Sequence, residues 1–121
     1  MSTIGERGNI LIVEDDEDIR AAMAELLETE GFEVAVASNG QEGLEVLDQI
    51  GPPCLVLLDL MMPVMSGEEF LRHIRDNPAM SPVPIIIVTA SGRTVLPGTQ
   101  GILKKPFEIS ELFATVSMHC G

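Results

Sequence analysis

The chain has 121 residues, enough for one domain around a single core, and 45% of them are hydrophobic, which argues against an intrinsically disordered chain. Against 19 Asp and Glu stand only 7 Lys and Arg, a formal charge of −12 that repels phosphate backbones and anionic lipid. Direct binding to nucleic acid or to a membrane surface is therefore disfavoured.

No apolar run approaches the roughly 18 residues of a membrane span. The segment Met1–Gly8 has no apolar signal core and reads as a flexible lead, so a cytoplasmic location is expected. Cys54 and Cys120 are the only cysteines, with neither a CxxC motif nor a His at metal spacing. In the cytosol they are expected as free thiols, Cys54 serving as a small hydrophobe.

Elements alternate along the chain. Ile10-Leu11-Ile12-Val13 is a first strand, broken by Glu14-Asp15-Asp16. Ile19, Met23, Leu26 and Leu27 then recur at helical spacing, and Gly31 closes that helix. Val34–Ala37 is a second strand. Ser38-x-x-Gln41 has the form of a capping box before a helix striped by Leu44, Leu47 and Ile50. Gly51-Pro52-Pro53 stops it ahead of a third strand, Leu55–Leu58. Ser66-x-x-Glu69 opens a helix carried by Phe70, Leu71 and Ile74, which ends near Asn77-Pro78. Ile85–Val88 is the fourth strand and Ile102-Leu103 a short fifth, and Ile109, Leu112, Phe113 and Val116 mark a last helix whose end, at His119 and Cys120, is expected to fray.

Strands one, three and four are solidly apolar, as a sheet covered on both faces requires. Strand and helix alternate throughout, so the fold class is α/β with a parallel sheet and right-handed crossovers. Residues 9–119 are expected to form this one domain, with no output domain attached.

In open parallel sheets ligands bind beyond the carboxyl ends of the strands. There this sequence places Glu14-Asp15-Asp16 after strand one, Asp59 after strand three, Thr89 after strand four and Lys104-Lys105-Pro106 after strand five. Each piece alone has a plain explanation: helix-dipole compensation, a turn aspartate, a β-branched strand end, a solvated basic pair. Together they converge on one rim. Clustered carboxylates repel and call for a cation, and oxygen ligands without His or thiolate suit Mg²⁺. An ammonium and a hydroxyl beside that cation complement the oxygens of a phosphoryl group in transfer, with Asp59 available as a carboxylate nucleophile.

The pieces Ile10–Asp16, Leu55–Pro63, Met65-Ser66-Gly67, Ile87–Ala90 and Leu103–Phe107 closely resemble the receiver domain of bacterial two-component response regulators. That resemblance implies a flavodoxin-like, doubly wound sheet of five parallel strands in the order 2-1-3-4-5, with helices on both faces. It also implies that Asp59 is the phosphoacceptor, supplied by a histidine kinase or a phosphotransfer protein. Asp15 would be a direct Mg²⁺ ligand beside Asp59, Glu14 would act through metal-bound water, and the backbone carbonyl of Met61 would be a further ligand. Thr89 resembles the switch hydroxyl and Lys105 the lysine that meets the phosphoryl group, followed by a peptide bond to Pro106 that is often cis. Asp16 falls outside the acidic pair and is expected to start the helix. The implied activity is confined to the chain's own phosphorylation and dephosphorylation, so it is a switch rather than an enzyme acting on others.

Two departures from the family stand out. Only 13 residues (89–101) separate Val88 from Ile102, and they include Gly92, Pro97, Gly98 and Gly101, so the usual helix there is expected to be shortened or absent. Ile102 stands where the family usually has an aromatic. Both fall on the face that members commonly use to dimerise or meet downstream proteins. A monomer is therefore expected, with its signal leaving through another face or through ordering of residues 90–101. The alternative is a pseudo-receiver that binds a partner without phosphorylation. An acid-nucleophile phosphatase is a distant third, because Met61 occupies the place of its second acid. Met61, Met62 and Met65 are expected to pack the loop after Asp59, and His73 to lie on the surface.

Overall fold

The computed structural model describes residues 8–62, 64–90 and 96–120. Its strands and helices alternate as far as β4: β1 (Asn9–Val13), α1 (Glu17–Thr29), β2 (Glu33–Ala37), α2 (Gly40–Ile50), β3 (Leu55–Asp59), α3 (Gly67–Asp76) and β4 (Ile85–Thr89), after which come β5 (Gly101–Lys104) and α4 (Ile109–Cys120). All strand pairs are parallel, and the sheet runs β2-β1-β3-β4-β5.

The solidly apolar strands have a simple cause. Alternate residues of a strand point to opposite faces, and here each face has its own helical cover. Leu11, Val13, Val56, Leu58, Ile85 and Ile87 are buried in a layer shared with Phe70, Leu71 and Ile74 of α3 and Leu47 of α2. Ile10, Ile12, Leu55, Leu57, Ile86 and Val88 are buried in the other layer, against Met23 and Leu27 of α1 and Leu112 and Val116 of α4.

Helix ends follow local chemistry. Asp16 caps α1, its carboxylate accepting from the Ile19 N–H at 3.0 Å, as its position outside the acidic pair suggests. Gly31, at φ +92°, closes α1: its N–H reaches the Glu28 carbonyl and the Phe32 N–H reaches that of Leu27. Ser66 caps α3 by accepting from the Glu69 N–H. At α2 the expected box is displaced by one residue. Asn39 is the cap, its side-chain oxygen accepting from the Glu42 N–H, and the Glu42 carboxylate accepts in turn from the Ser38 N–H, so the reciprocal box is built on Asn39 and Glu42.

The remaining expectations divide. Between β4 and β5, residues 90 and 96–100 carry no helix, while 91–95, like the N-terminal residues 1–7, lie outside the described residues. Ile50 and Ile109 leave their expected stripes and are 38% and 52% exposed, each sitting at a helix end beyond the edge of the sheet cover. Met61 does not pack its loop: it is 74% exposed, whereas Met65 is buried against Gly40. His73 is exposed as expected.

Cys54 and Cys120 are not free thiols. They form a disulfide, with Cα atoms 5.6 Å apart. A helix that crosses over a parallel sheet runs antiparallel to the strands, so the end of α4 comes down beside the start of β3, where Cys54 sits. Cys120 is therefore a half-buried residue of α4 rather than part of a frayed end.

Candidate functional site

β1, β3, β4 and β5 deliver Glu14, Asp59, Thr89 and Lys105 to the carboxyl edge of the sheet. With Asp15, Asp16, Ile19, Met61 and Ala90 they line one cavity of about 430 Å³. The register explains the meeting: Asp59 pairs with Val88, and Thr89 with Lys104, so adjacent strands end nearly level. Glu14, Asp59 and Thr89 are the three polar residues buried among the described chain, at 2%, 5% and 1% exposure. Polar groups are buried only where something holds them.

Glu14 is held on every side. Its N–H donates to the Ala37 carbonyl, its carbonyl accepts from Arg20 Nη1 at 2.9 Å, and its Oε2 accepts from the Asp16 N–H at 3.1 Å. Its Oε1 lies 2.5 Å from Lys105 Nζ. The same ammonium stands 4.0 Å from Asp59 Oδ2, and Asp59 Oδ1 accepts from the Met61 N–H at 3.2 Å. The Lys105 N–H donates to the Thr89 carbonyl at 2.8 Å, and the Lys105–Pro106 bond is cis.

Gly67 brings α3 close to the acid. A Cβ there would lie 2.6 Å from the Asp59 carbonyl oxygen, so only glycine lets the helix start so near the end of β3. Its N–H donates to the Leu60 carbonyl at 3.1 Å, fixing the backbone just after Asp59.

Oxygens of Glu14, Asp15 and Asp59 all lie within 4.8 Å of one another. Such crowding shows in their titration. Burial first, then the adjoining carboxylates of Asp15 and Glu14, push Asp59 up to about 7. Asp15 moves down instead: burial, the largest single influence, opposes the shift, but its hydrogen bonds with Asp59 and Glu14 and the charge of Lys105 together outweigh it. The pair thus shares a proton carried by Asp59. Three hard oxygen donors with no thiolate or imidazole form a donor set that suits Mg²⁺, whose charge would take the place of that proton.

Of the residues singled out in the sequence, Glu14, Asp15, Asp59, Thr89, Lys105 and Met61 all meet in this cavity. Arg20 was missed; its only signal is a lone cation six residues beyond Glu14, in an otherwise acidic helix start.

Residues 10–117 match the family model of the response regulator receiver domain. The chain belongs to that family. The receiver is 42% identical over 119 residues to the uncharacterized transcriptional regulatory protein YkoG of Bacillus subtilis, a match covering 92% of this chain and 50% of YkoG. It is 35% identical over 118 residues to sensor histidine kinase TmoS of Ectopseudomonas mendocina, covering 93% of this chain and 12% of that one. Among solved structures, chemotaxis protein CheY4 of Vibrio cholerae superposes with a TM-score of 0.83 at 28% identity, over 92% of this chain and 97% of CheY4. The receiver thus has the chemotaxis-regulator fold, and spans about half the length of YkoG and far less of TmoS. Among the described residues, no helix is long and apolar enough to cross a membrane.

Proposed function

We propose that the receiver takes a phosphoryl group onto Asp59 from the phosphohistidine of a histidine kinase or phosphotransfer protein, and acts as a phosphorylation-controlled switch. One observation carries this: a buried carboxylate, Asp59, faces an ammonium at 4.0 Å while two more carboxylates crowd the same cavity. A structural ion pair would need one acid for one base. This excess of acids instead fits a nucleophile beside a cation site.

In the step proposed, an Asp59 oxygen attacks phosphorus, an acyl phosphate bond forms, and the phosphorus–nitrogen bond to the donor imidazole breaks. The electron pair leaves with that imidazole, which takes up a proton. Glu14, Asp15, Asp59 and the Met61 carbonyl would hold Mg²⁺, whose charge offsets that of the phosphoryl oxygens. Lys105, held by Glu14 in the unphosphorylated chain, is placed to turn its ammonium to a phosphoryl oxygen on Asp59. Thr89 Oγ1 on the same wall would donate to another. Beside the site an apolar cavity of about 380 Å³ between α1 and Phe107 offers the donor protein a surface to rest on. In this reading the receiver works in the cytoplasm as a monomer and passes its state to a protein partner. The chemistry is the same for a stand-alone regulator and for the receiver part of a longer chain.

Intact mass after incubation with acetyl phosphate and Mg²⁺ tests this. A single phosphoryl adduct is expected, absent without Mg²⁺ and absent in Asp59→Asn. No adduct under conditions that label CheY4 would overturn the reading and favour a phosphorylation-independent interaction module.

A further inference from the structure

The disulfide is placed where it can control one part of the molecule without holding up the rest. Leu112, Val116 and Cys120 lie four residues apart and form the stripe of α4 that faces the sheet. Leu112 and Val116 are fully buried, so the first two turns of α4 are anchored by ordinary packing. Beyond Val116 the situation changes. Ser117 and Met118 are exposed, Met118 at 80%, and the last inward position is Cys120 itself. Its partner is firm: Cys54 leads into β3, and its N–H donates to the Asn9 carbonyl at 2.8 Å. A covalent bond thus stands where a third apolar anchor would, joining a fixed strand to the last, largely exposed turn of α4.

We propose that Cys54 and Cys120 form a reversible thiol–disulfide pair, a modification site whose oxidised state locks the last turn of α4 to the foot of β3 and whose reduced state lets that turn open. Both residues are half-buried rather than sealed in the core, so a small disulfide can reach them. With oxidised glutathione as the oxidant, one cysteine thiolate attacks a glutathione sulfur and releases one glutathione thiol. The second cysteine, as thiolate, then attacks the mixed disulfide on the protein sulfur and releases the other. The chain loses two electrons and two protons, and one glutathione disulfide becomes two thiols.

The fold should survive reduction, because β3 is paired on both sides and Leu112 and Val116 stay buried. The site should survive it too, since Asp59 is at the opposite end of β3 from Cys54. The proposal therefore stands or falls apart from the phosphoryl-acceptor reading: acetyl phosphate labelling should be the same in both redox states.

The test is wild-type protein equilibrated in glutathione buffers of graded ratio, quenched in acid, denatured and alkylated for mass, with amide exchange on parallel samples. The chain should pass between unalkylated and doubly alkylated forms with no stable singly alkylated one. Amides of residues 117–120 should exchange about tenfold faster in the reduced form, while those of β3 are unchanged. Cys120→Ser should exchange at the fast rate in every buffer. Two alkylated thiols even in the most oxidising buffer would overturn the proposal, as would a bond that persists in the most reducing one. A bond that switches with no change in α4 exchange would overturn it equally, and these wild-type readouts decide the matter even if the variant folds poorly.

Discussion

Glu14, Asp15 and Asp59 share one end of the sheet with Lys105, and the single ammonium cannot balance all three carboxylates. Asp59 answers by holding a proton up to about pH 7, against 3.8 for an ordinary Asp. The folded chain therefore binds more protons than the unfolded chain across that interval, so stability falls as pH rises through it. Asp15, shifted downward, has its effect only below 3.8 and leaves this window to Asp59. Urea unfolding in chelator at points between pH 3.8 and 7 should show the decline in wild type and a flatter profile in Asp59→Asn. A wild-type profile that rises or stays level would mean that the acids are not crowded as described. The acids themselves were legible in the sequence, because each follows an apolar run that ends at the rim. The partner of Glu14's carbonyl was not, because Arg20 bonds a backbone oxygen and such acceptors leave no mark on residue type.

The segment where family members carry another helix is held down by a side chain from elsewhere. Arg75, near the end of α3, donates Nη1 to the Ser81 carbonyl at 2.6 Å and to that of Val83 at 3.4 Å, and Nη2 to the Gly98 carbonyl. Gly98, at φ +85°, sits so close that a Cβ would lie 3.0 Å from Arg75 Nε. Gln100 completes the tie, its N–H donating to the Ile85 carbonyl and its side-chain oxygen accepting from the Ile85 N–H. Leu96 and Ile102 then cover the α3 side of the sheet in place of helical residues. Glycine and proline made the lack of helix at residues 96–100 readable in advance; the tie that holds them was not, since Gly98 lies 23 residues from Arg75 and presents only a carbonyl. Arg75→Ala should cost about 1–3 kcal/mol, because the carbonyls of half-buried Ser81 and buried Val83 lose their donor. Denaturant unfolding gives the magnitude, and amide exchange should quicken around Ile85 and Gln100. An exchange pattern unchanged there would show that the loop is held by its apolar contacts alone. The disulfide has the same lesson: Cys54 and Cys120 are 66 residues apart, and only the antiparallel run of α4 over β3 makes them neighbours.

At the scale of the whole molecule, what could be read early was whatever repeats with a period. Apolar runs gave the strands, the 3.6-residue stripe gave the helices, and their alternation gave a parallel sheet, whose carboxyl edge located the cavity before any geometry was known. The net charge of −12 adds a consequence of its own. It raises the concentration of cations around the chain generally, so Mg²⁺ held at Glu14, Asp15 and Asp59 must be separated from Mg²⁺ that merely screens the surface. Binding to the folded state alone stabilises it by about 1.4 kcal/mol at a free ion concentration about ten times the dissociation constant. A thermal melt titrated with MgCl₂ should therefore rise and go on rising logarithmically, whereas the same ionic strength of KCl should give a smaller change. Asp59→Asn should lose most of the Mg²⁺-specific rise, and at a pH below about 7 the rise in wild type should shrink, because the ion must displace the Asp59 proton. An equal rise in wild type and variant would assign the effect to the acidic surface and remove the cation from the site.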